Sequence, residues 1–330
     1  RVEPLADGTV KPEGIDLDFH FIDPGNLFYR NLKHEEFDVS EMSISSFSMA
    51  KERGDGTRWQ WSGLPVFLSK AFVWLTLYVN AKSGINGFKD FAGKRVGVPD
   101  YNMTAAVWMK AVMKELYGIG AKDVVWFNGR TAEHSHGAEL GLAEDPPTGI
   151  DLNWLTEDQS LDVMLDRGEL DAAYGVVQRQ YPGVSKPIDR FGGIAIESNP
   201  RLRKLFPDFG RQVIGDFYRK TGVIPVNHMV IVKDRVLNKE PWVALELFKA
   251  FQKSKEVAYE RAKQQGAGYL LFMADDIRRQ TEIFGQDPFP LGLQTNRKML
   301  EMMFQSSAEQ GLNQGRVKVE DLFHASLRDS

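Results

Sequence analysis

The chain contains no cysteine. That removes disulfides, thiolate metal sites and a cysteine nucleophile from consideration. It leaves the compartment open, because a cysteine-free chain persists in either redox environment. Charge of one sign is not in excess: 41 basic and 45 acidic residues give a formal net charge of −4. No global basic field is available to recruit nucleic acid or anionic lipid, so no nucleic-acid partner is expected. Long apolar runs are missing too. The longest, Ala71–Val79, is far shorter than the roughly 20 residues of a membrane helix, and no membrane insertion is expected. No signal-peptide pattern is visible, but the first residue is Arg1, so a leader or first strand ahead of it is left open.

What is present is a globular composition: 330 residues, 42% hydrophobic and 26% charged, enough for two domains. The most informative stretch is Lys94–Gly118, which reads as strand, short loop and helix. Arg95–Val98 is a β-rich run stopped by Pro99, since proline cannot donate to a central ladder. Thr104 is the expected helix cap, Trp108, Val112 and Leu116 share one helix face, and Gly118 ends the helix. The loop Asp100–Met103 then meets a helix N-terminus, an end that favours an anion by about 0.3–1 kcal/mol at an exposed site. A small-molecule carboxylate is expected there.

Elsewhere, Ile15–Ile22 alternates and predicts a strand, as do Phe37–Met42, Ala71–Asn80, Asp123–Phe127, Leu170–Val177 and Val223–Val232. Helices are expected at Asn26–His34, Ser43–Arg53, Leu161–Leu165, Asn199–Phe206 and Phe209–Lys220. A longer one has Pro241 at its first position, reaches about Gln265 and turns Leu245, Phe248 and Phe251 inward. The tail, Asp276–Phe284, Asn296–Gln310 and Val319–Leu327, is expected to be helical, and Gly129–Gly149 an irregular loop. Strands alternating with helices predict an α/β protein with mostly parallel sheets. Ligands in such sheets sit beyond the carboxyl ends of strands. The candidate stretches are therefore Met42–Ser46, Asp100–Thr104, Asn128–Glu133 and Tyr174–Gln178, with Asn227 and His228 at the reverse crossing.

Several blocks carry a resemblance: FDVSEMSISSF (Phe37–Phe47), GLPVFLSKAF (Gly63–Phe72), GKRVGVPDYNMTAAVW (Gly93–Trp108), VIPVNHMVIV (Val223–Val232) and FGQDPFPLGLQTNRKMLE (Phe284–Glu301). In this order the chain resembles the 4,5-dihydroxyphthalate decarboxylase family, similar in fold to type 2 periplasmic solute-binding proteins. The resemblance implies two α/β lobes with a ligand cleft between them. Lobe one would comprise 1–82 and 223–330, lobe two 83–222, with crossings near Ser83 and Val223. The chain departs from the family where the common SRAFRHS is here Ser69–Leu75, SKAFVWL. Lys70 replaces an arginine, and Val73 and Trp74 replace an arginine and a histidine. An ammonium lacks the bidentate fork of a guanidinium, so a different acid could be the substrate.

Decarboxylating a hydroxylated aromatic acid needs no cofactor in principle, and none is expected. The site must hold a carboxylate and supply one acid–base group. His228, inside an apolar strand and where the family block has a histidine, is the acid–base candidate; the alternative is a buried structural histidine. Glu41 could orient it or take a phenolic proton, or serve only an ion pair. Ser43, Ser45 and Ser46 crowd a helix start, where one would cap and another could donate to a carboxylate. No Gly-x-Ser-x-Gly elbow accompanies them, so serine nucleophilic catalysis is excluded. Lys70, Tyr101, Thr104, Arg130 and Tyr174 complete the substrate-binding candidates, Arg130 as a carboxylate clamp. Arg130, Glu133, His134, His136 and Glu139 have metal-like spacing but lack a helical frame, so they read as a solvated loop and no metal is assigned. The expected partner is a small aromatic or organic acid, with a homo-oligomer possible through the C-terminal helices. The alternative function is the solute-binding protein of an ABC transporter, because the fold serves either. The enzyme reading implies a cytoplasmic protein, the transport reading a periplasmic one. A thiamine-pyrimidine-synthase-like activity is excluded by the missing cysteines.

Overall fold

A computed structural model describes residues 1–69, 72–174, 194, 196–208 and 210–330. Lys70 and Gln178 therefore lie outside the described residues. The strands are β1 (Val39–Ser43), β2 (Trp61–Ser69), β3 (Leu77–Asn80), β4 (Arg95–Val98), β5 (Val125–Asn128), β6 (Asp151–Trp154), β7 (Ala172–Tyr174), β8 (Leu202–Lys204) and β9 (His228–Lys233). They form two sheets, β1-β9-β2 and β6-β5-β4-β7-β3-β8.

The α/β expectation is met, but the parallel expectation holds only for β6, β5, β4 and β7. β3 runs antiparallel to β7 and β8, and the first sheet is wholly antiparallel, because β9 returns between β1 and β2. Its register aligns Ser43, His228 and Ser69 in one row. β3 belongs to the second sheet, so the chain passes from the first sheet to the second between Ser69 and Leu77. It returns between Lys204 and His228.

Several elements differ from expectation for identifiable reasons. Ile15–Phe19 keeps its alternation, with Leu17 and Phe19 packed towards Ala250 and Phe251, but Phe21 is exposed and Ile15–Ile22 forms no strand among the described residues. Alternation records a half-buried extended chain; a strand also needs a neighbouring ladder. The apolar run before Asn80 is a 3₁₀ turn over Val73–Thr76 and only then a strand, since an apolar run without a period does not choose between the two. Asn199–Phe206 contributes β8, not a helix, because β3 offers an edge to pair with. β6 escaped the sequence pattern because it is a polar edge strand, paired only with β5. The long helix spans Trp242–Tyr269, one residue beyond Pro241. Leu245 is exposed; Val243, Ala244, Leu247 and Ala250 are its buried face, with Phe248 and Phe251 packed alongside.

The helix Thr104–Tyr117 ends as expected, at Gly118 in the left-handed region. Residues 104–113 of it are buried, so it is central, not a surface element. Trp108 packs in its core and donates from Nε1 to Val226 O, 2.8 Å away on the return to β9. One continuous core thus joins Met42, Ile44 and Phe47 of the first sheet region to Val96 and Val98 of the second. Among the described residues no helix is long and apolar enough to cross a membrane.

Candidate active site

Glu41 and His228 meet on one face of the first sheet. β1 and β9 pair Glu41 with Val230 and Ser43 with His228, so Glu41 and His228 are diagonal neighbours. His228 Nδ1 lies 2.7 Å from Glu41 Oε1, with side chains 20% and 29% exposed. A carboxylate only accepts, so Nδ1 carries the proton and Nε2 is the second, outward-acting nitrogen. Nε2 makes no hydrogen bond among the described residues. Burial pushes the Glu41 carboxyl up, but the paired imidazole and Arg1 outweigh it and hold the group below the usual carboxylate value. Glu41 also lines a mainly apolar groove of about 310 Å³ with Phe19, Val39, Leu68 and Val230.

A second cluster comes from loops at the carboxyl ends of β4 and β5. Asp100 is fully buried and accepts from Arg130 Nη1 at 3.2 Å, Ser135 Oγ at 2.9 Å and the His136 amide at 2.7 Å. Gly137 makes this approach possible: a Cβ there would meet Asp100 Oδ1 at 3.1 Å and Asn102 Oδ1 at 3.0 Å. His136 Nε2 donates to Gly25 O at 2.9 Å, and Nδ1 accepts from Arg130 Nη1 at 3.1 Å. Burial first, then the Arg130 charge, pushes this imidazole well below its ordinary value, so it is neutral. Burial likewise raises the Asp100 carboxyl, against the pull of Arg130 and the three donors.

The two clusters are bridged by Phe28. Its ring centroid is 4.9 Å from that of His228 and 5.9 Å from that of His136, edge-on to both. The line Glu41–His228–Phe28–His136–Arg130–Asp100 therefore runs from one sheet to the other.

The mouth ahead of Ala105 is closed by protein. Met103, not Thr104, occupies the cap position of the central helix. The Thr104 hydroxyl instead lies 2.8 Å from Ser43 Oγ and accepts from Ser45 N at 3.1 Å. Asn102 Nδ2 donates to Ser46 Oγ at 3.2 Å. Ser43 is the cap of the helix Ile44–Arg53, accepting from Ser46 N. Ser43, Ser45, Ser46, Asn102 and Thr104 are all buried, so the expected open anion site at this helix end is corrected: the end faces the serines at the end of β1 and the start of the helix Ile44–Arg53. Ser45 Oγ has no hydrogen-bond partner among the described residues.

Tyr101 turns away from that mouth. Its hydroxyl donates to Gln310 O at 3.1 Å, and Lys110 Nζ lies 3.2 Å over its ring. Burial alone drives its phenol up. Tyr174 is fully buried at the end of β7, also with a raised phenol, and its hydroxyl has no hydrogen-bond partner among the described residues. Arg130 is 6% exposed and committed to Asp100 and His136. Sequence reasoning did not single out Phe28, placed Asp100 in the candidate stretch Asp100–Thr104 without a role of its own, and left His136 in a solvated loop. The available signal was Ser135-His136-Gly137, a cap residue and a glycine flanking one histidine; Glu133 is exposed as that loop reading expects. Among the described residues no group of three His, Asp or Glu side chains could hold a metal ion.

No protein-family model matches the chain. Over 332 aligned positions it is 30% identical to a 4,5-dihydroxyphthalate decarboxylase of Comamonas testosteroni, covering 100% of this chain and 95% of that protein. A 4,5-dihydroxyphthalate decarboxylase of Pseudomonas putida is 35% identical over 175 positions, 53% of this chain and 66% of that protein. Among solved structures, a putative periplasmic sulfonate-binding protein of Methylobacillus flagellatus superposes with a TM-score of 0.45 at 12% identity, covering 91% of this chain and 76% of that one. With a relative of that identity aligned along its whole length, the chain belongs to the 4,5-dihydroxyphthalate decarboxylase family.

Proposed function

We propose that the protein is a cofactor-independent decarboxylase of a hydroxylated aromatic acid of the 4,5-dihydroxyphthalate type, acting in the cytoplasm. The observation that carries the reading is the 2.7 Å contact between His228 Nδ1 and Glu41 Oε1. It orients one imidazole with Nε2 available and a carboxylate to stabilise the imidazolium, the two properties an acid–base histidine needs. The names of the Comamonas and Pseudomonas relatives support the substrate class.

In this reading a ring hydroxyl para to the carboxylate supplies electrons. The imidazolium Nε2–H gives its proton to the ring carbon bearing the carboxylate, forming a C–H bond while the hydroxyl loses its proton. The C–C bond to the carboxylate then breaks, its electron pair restores aromaticity and CO2 leaves. The phenolate and the imidazole are reprotonated from solvent, so one proton is consumed per CO2 released. Glu41 holds the His228 ring throughout, and the apolar groove beside Glu41 disfavours a solvated carboxylate.

The test is incubation with 4,5-dihydroxyphthalate and related hydroxybenzoates while CO2 is followed. Turnover by the wild type, abolished in His228→Ala with the fold retained by circular dichroism, is the expected result. Saturable binding of an acid without CO2 release would overturn it in favour of solute binding.

A further inference from the structure

Phe28 is 4% exposed and stands at 86° to the His228 ring, 4.9 Å between centroids. It sits on the helix Pro24–His34, which is pinned at two places. Asn31 Nδ2 donates to Ser40 Oγ on β1 at 2.7 Å, tying the helix to the sheet that carries Glu41. His136 Nε2 donates to Gly25 O at 2.9 Å, tying it to the loop that follows β5. His136 therefore touches the same helix twice, through Gly25 and through the Phe28 ring at 5.9 Å. Arg130 and Asp100 hold His136 in turn.

We propose that Phe28 is a positioning residue for His228, and that His136, through Gly25 and Phe28, makes the orientation of that imidazole depend on the second lobe. One hydrogen bond donated to Glu41 fixes the position of Nδ1 but leaves the ring free to tilt about it. An edge-on aromatic neighbour removes that freedom, because the ring quadrupoles favour the T-shaped arrangement. Proton transfer to a ring carbon is sensitive to this tilt, since a misplacement of about 1 Å can cost about 10²-fold in rate. Among the described residues the charged and titratable groups around His228 are Glu41 in contact, His136 beyond Phe28, and Arg1 acting on Glu41. The inference rests on the assignment of His228 as the acid–base group.

The test combines kinetics with ¹⁵N NMR of the histidine side chains in the full chain, the His228 signals being assigned by their loss in His228→Gln. Phe28→Leu is expected to lower kcat about ten-fold or more with KM within about two-fold. It is also expected to move the His228 Nδ1 shift, which reports the bond to Glu41 and is little affected by ring currents. Phe28→Tyr, which keeps the ring, should restore both, and His136→Asn should move the same signal without touching His228. Should Phe28→Leu fail to fold, Phe28→Met replaces it. Wild-type kcat with an unmoved Nδ1 signal in the leucine variant overturns the proposal, as does an equal loss in Phe28→Tyr. Should the wild type release no CO2 from any acid tested, the proposed activity fails, and the Nδ1 signal alone then decides whether Phe28 positions His228.

Discussion

The hydroxyls of Ser43 and Thr104 lie 2.8 Å apart, one at the end of β1 and the other on the first turn of the central helix. They join the starts of the helices Ile44–Arg53 and Thr104–Tyr117, and the Ser45 amide adds a second bond to the same Thr104 oxygen. Thr104 is 1% exposed, so no water replaces these bonds when the hydroxyl is removed. Thr104→Val keeps the side-chain shape and strands the Ser45 amide. A buried donor left unsatisfied costs about 1–3 kcal/mol, and that loss is expected in the urea midpoint. An unchanged midpoint would mean that the two helix starts separate readily enough for water to reach both serines.

Glu41 gives a pH prediction with a definite sign. Its folded carboxyl titrates below the ordinary glutamate value because the His228 and Arg1 charges outweigh burial. In the window between the folded value and the unfolded value of about 4.3, the unfolded chain binds more protons. The stabilisation is therefore complete above the unfolded value and is lost as pH falls through the folded one. Glu41→Gln lacks it. Wild type should be the more stable at pH 7, and the two stability curves should converge in acid. The same variant should lose at least about 10²-fold in kcat, the lower end of what a positioned acid–base group contributes. A constant stability difference down to low pH would show that Glu41 is not ionised against His228.

How much of this was legible in the sequence depended on the range of the interaction. Gly118 as a helix end and Ser43 at a helix start are local signals, settled within one turn of chain, and both are seen. His228 and Glu41 could each be singled out by chemistry, but their contact spans 187 residues and follows from the β1–β9 register, which no local pattern encodes. Thr104 failed as a cap for the same reason: its partners are 61 and 59 residues away, and the helix end they cover looked free only in isolation. Ile15–Ile22 shows the converse, an alternation that predicts a strand where the chain lacks a neighbouring ladder among the described residues. His136 was hidden by composition. Charged and small residues around it read as solvated loop, whereas Asp100 and Arg130 supply internally what water would have supplied.

Lys110 is another group whose titration is set by the core. It is 1% exposed, donates to Tyr101 O at 2.8 Å and lies over the Tyr101 and Trp126 rings. Burial pushes its amine well below the ordinary lysine value. The unfolded chain then binds more protons between the folded value and about 10.4, so stability contributed by this group rises with pH across that range. Lys110→Met has similar length and no charge. The stability of wild type relative to this variant should increase as pH rises from the folded value towards about 10, read by urea unfolding at each pH. A flat difference would mean that the amine reaches solvent or an anion that keeps it protonated.

Metal removal separates the two readings of the loop after Arg130. For His136 to ligate a cation, a ring nitrogen must present a lone pair. Nε2 is protonated towards the Gly25 carbonyl, and the Nδ1 lone pair is taken by the Arg130 guanidinium at 3.1 Å. Opening either bond would leave a buried partner unsatisfied, and the neighbouring guanidinium would repel the incoming ion. His134 is drawn towards Thr131 instead, with Nδ1 3.1 Å from the threonine hydroxyl, so the H-x-H pair does not converge on one point. Dialysis against a strong chelator is therefore expected to leave both the thermal midpoint and the rate of CO2 release unchanged, and added Zn²⁺ to restore nothing. A loss of rate that Zn²⁺ or Mn²⁺ reverses, with His136→Asn abolishing the reversal, would reassign this histidine from the Phe28 contact to a metal.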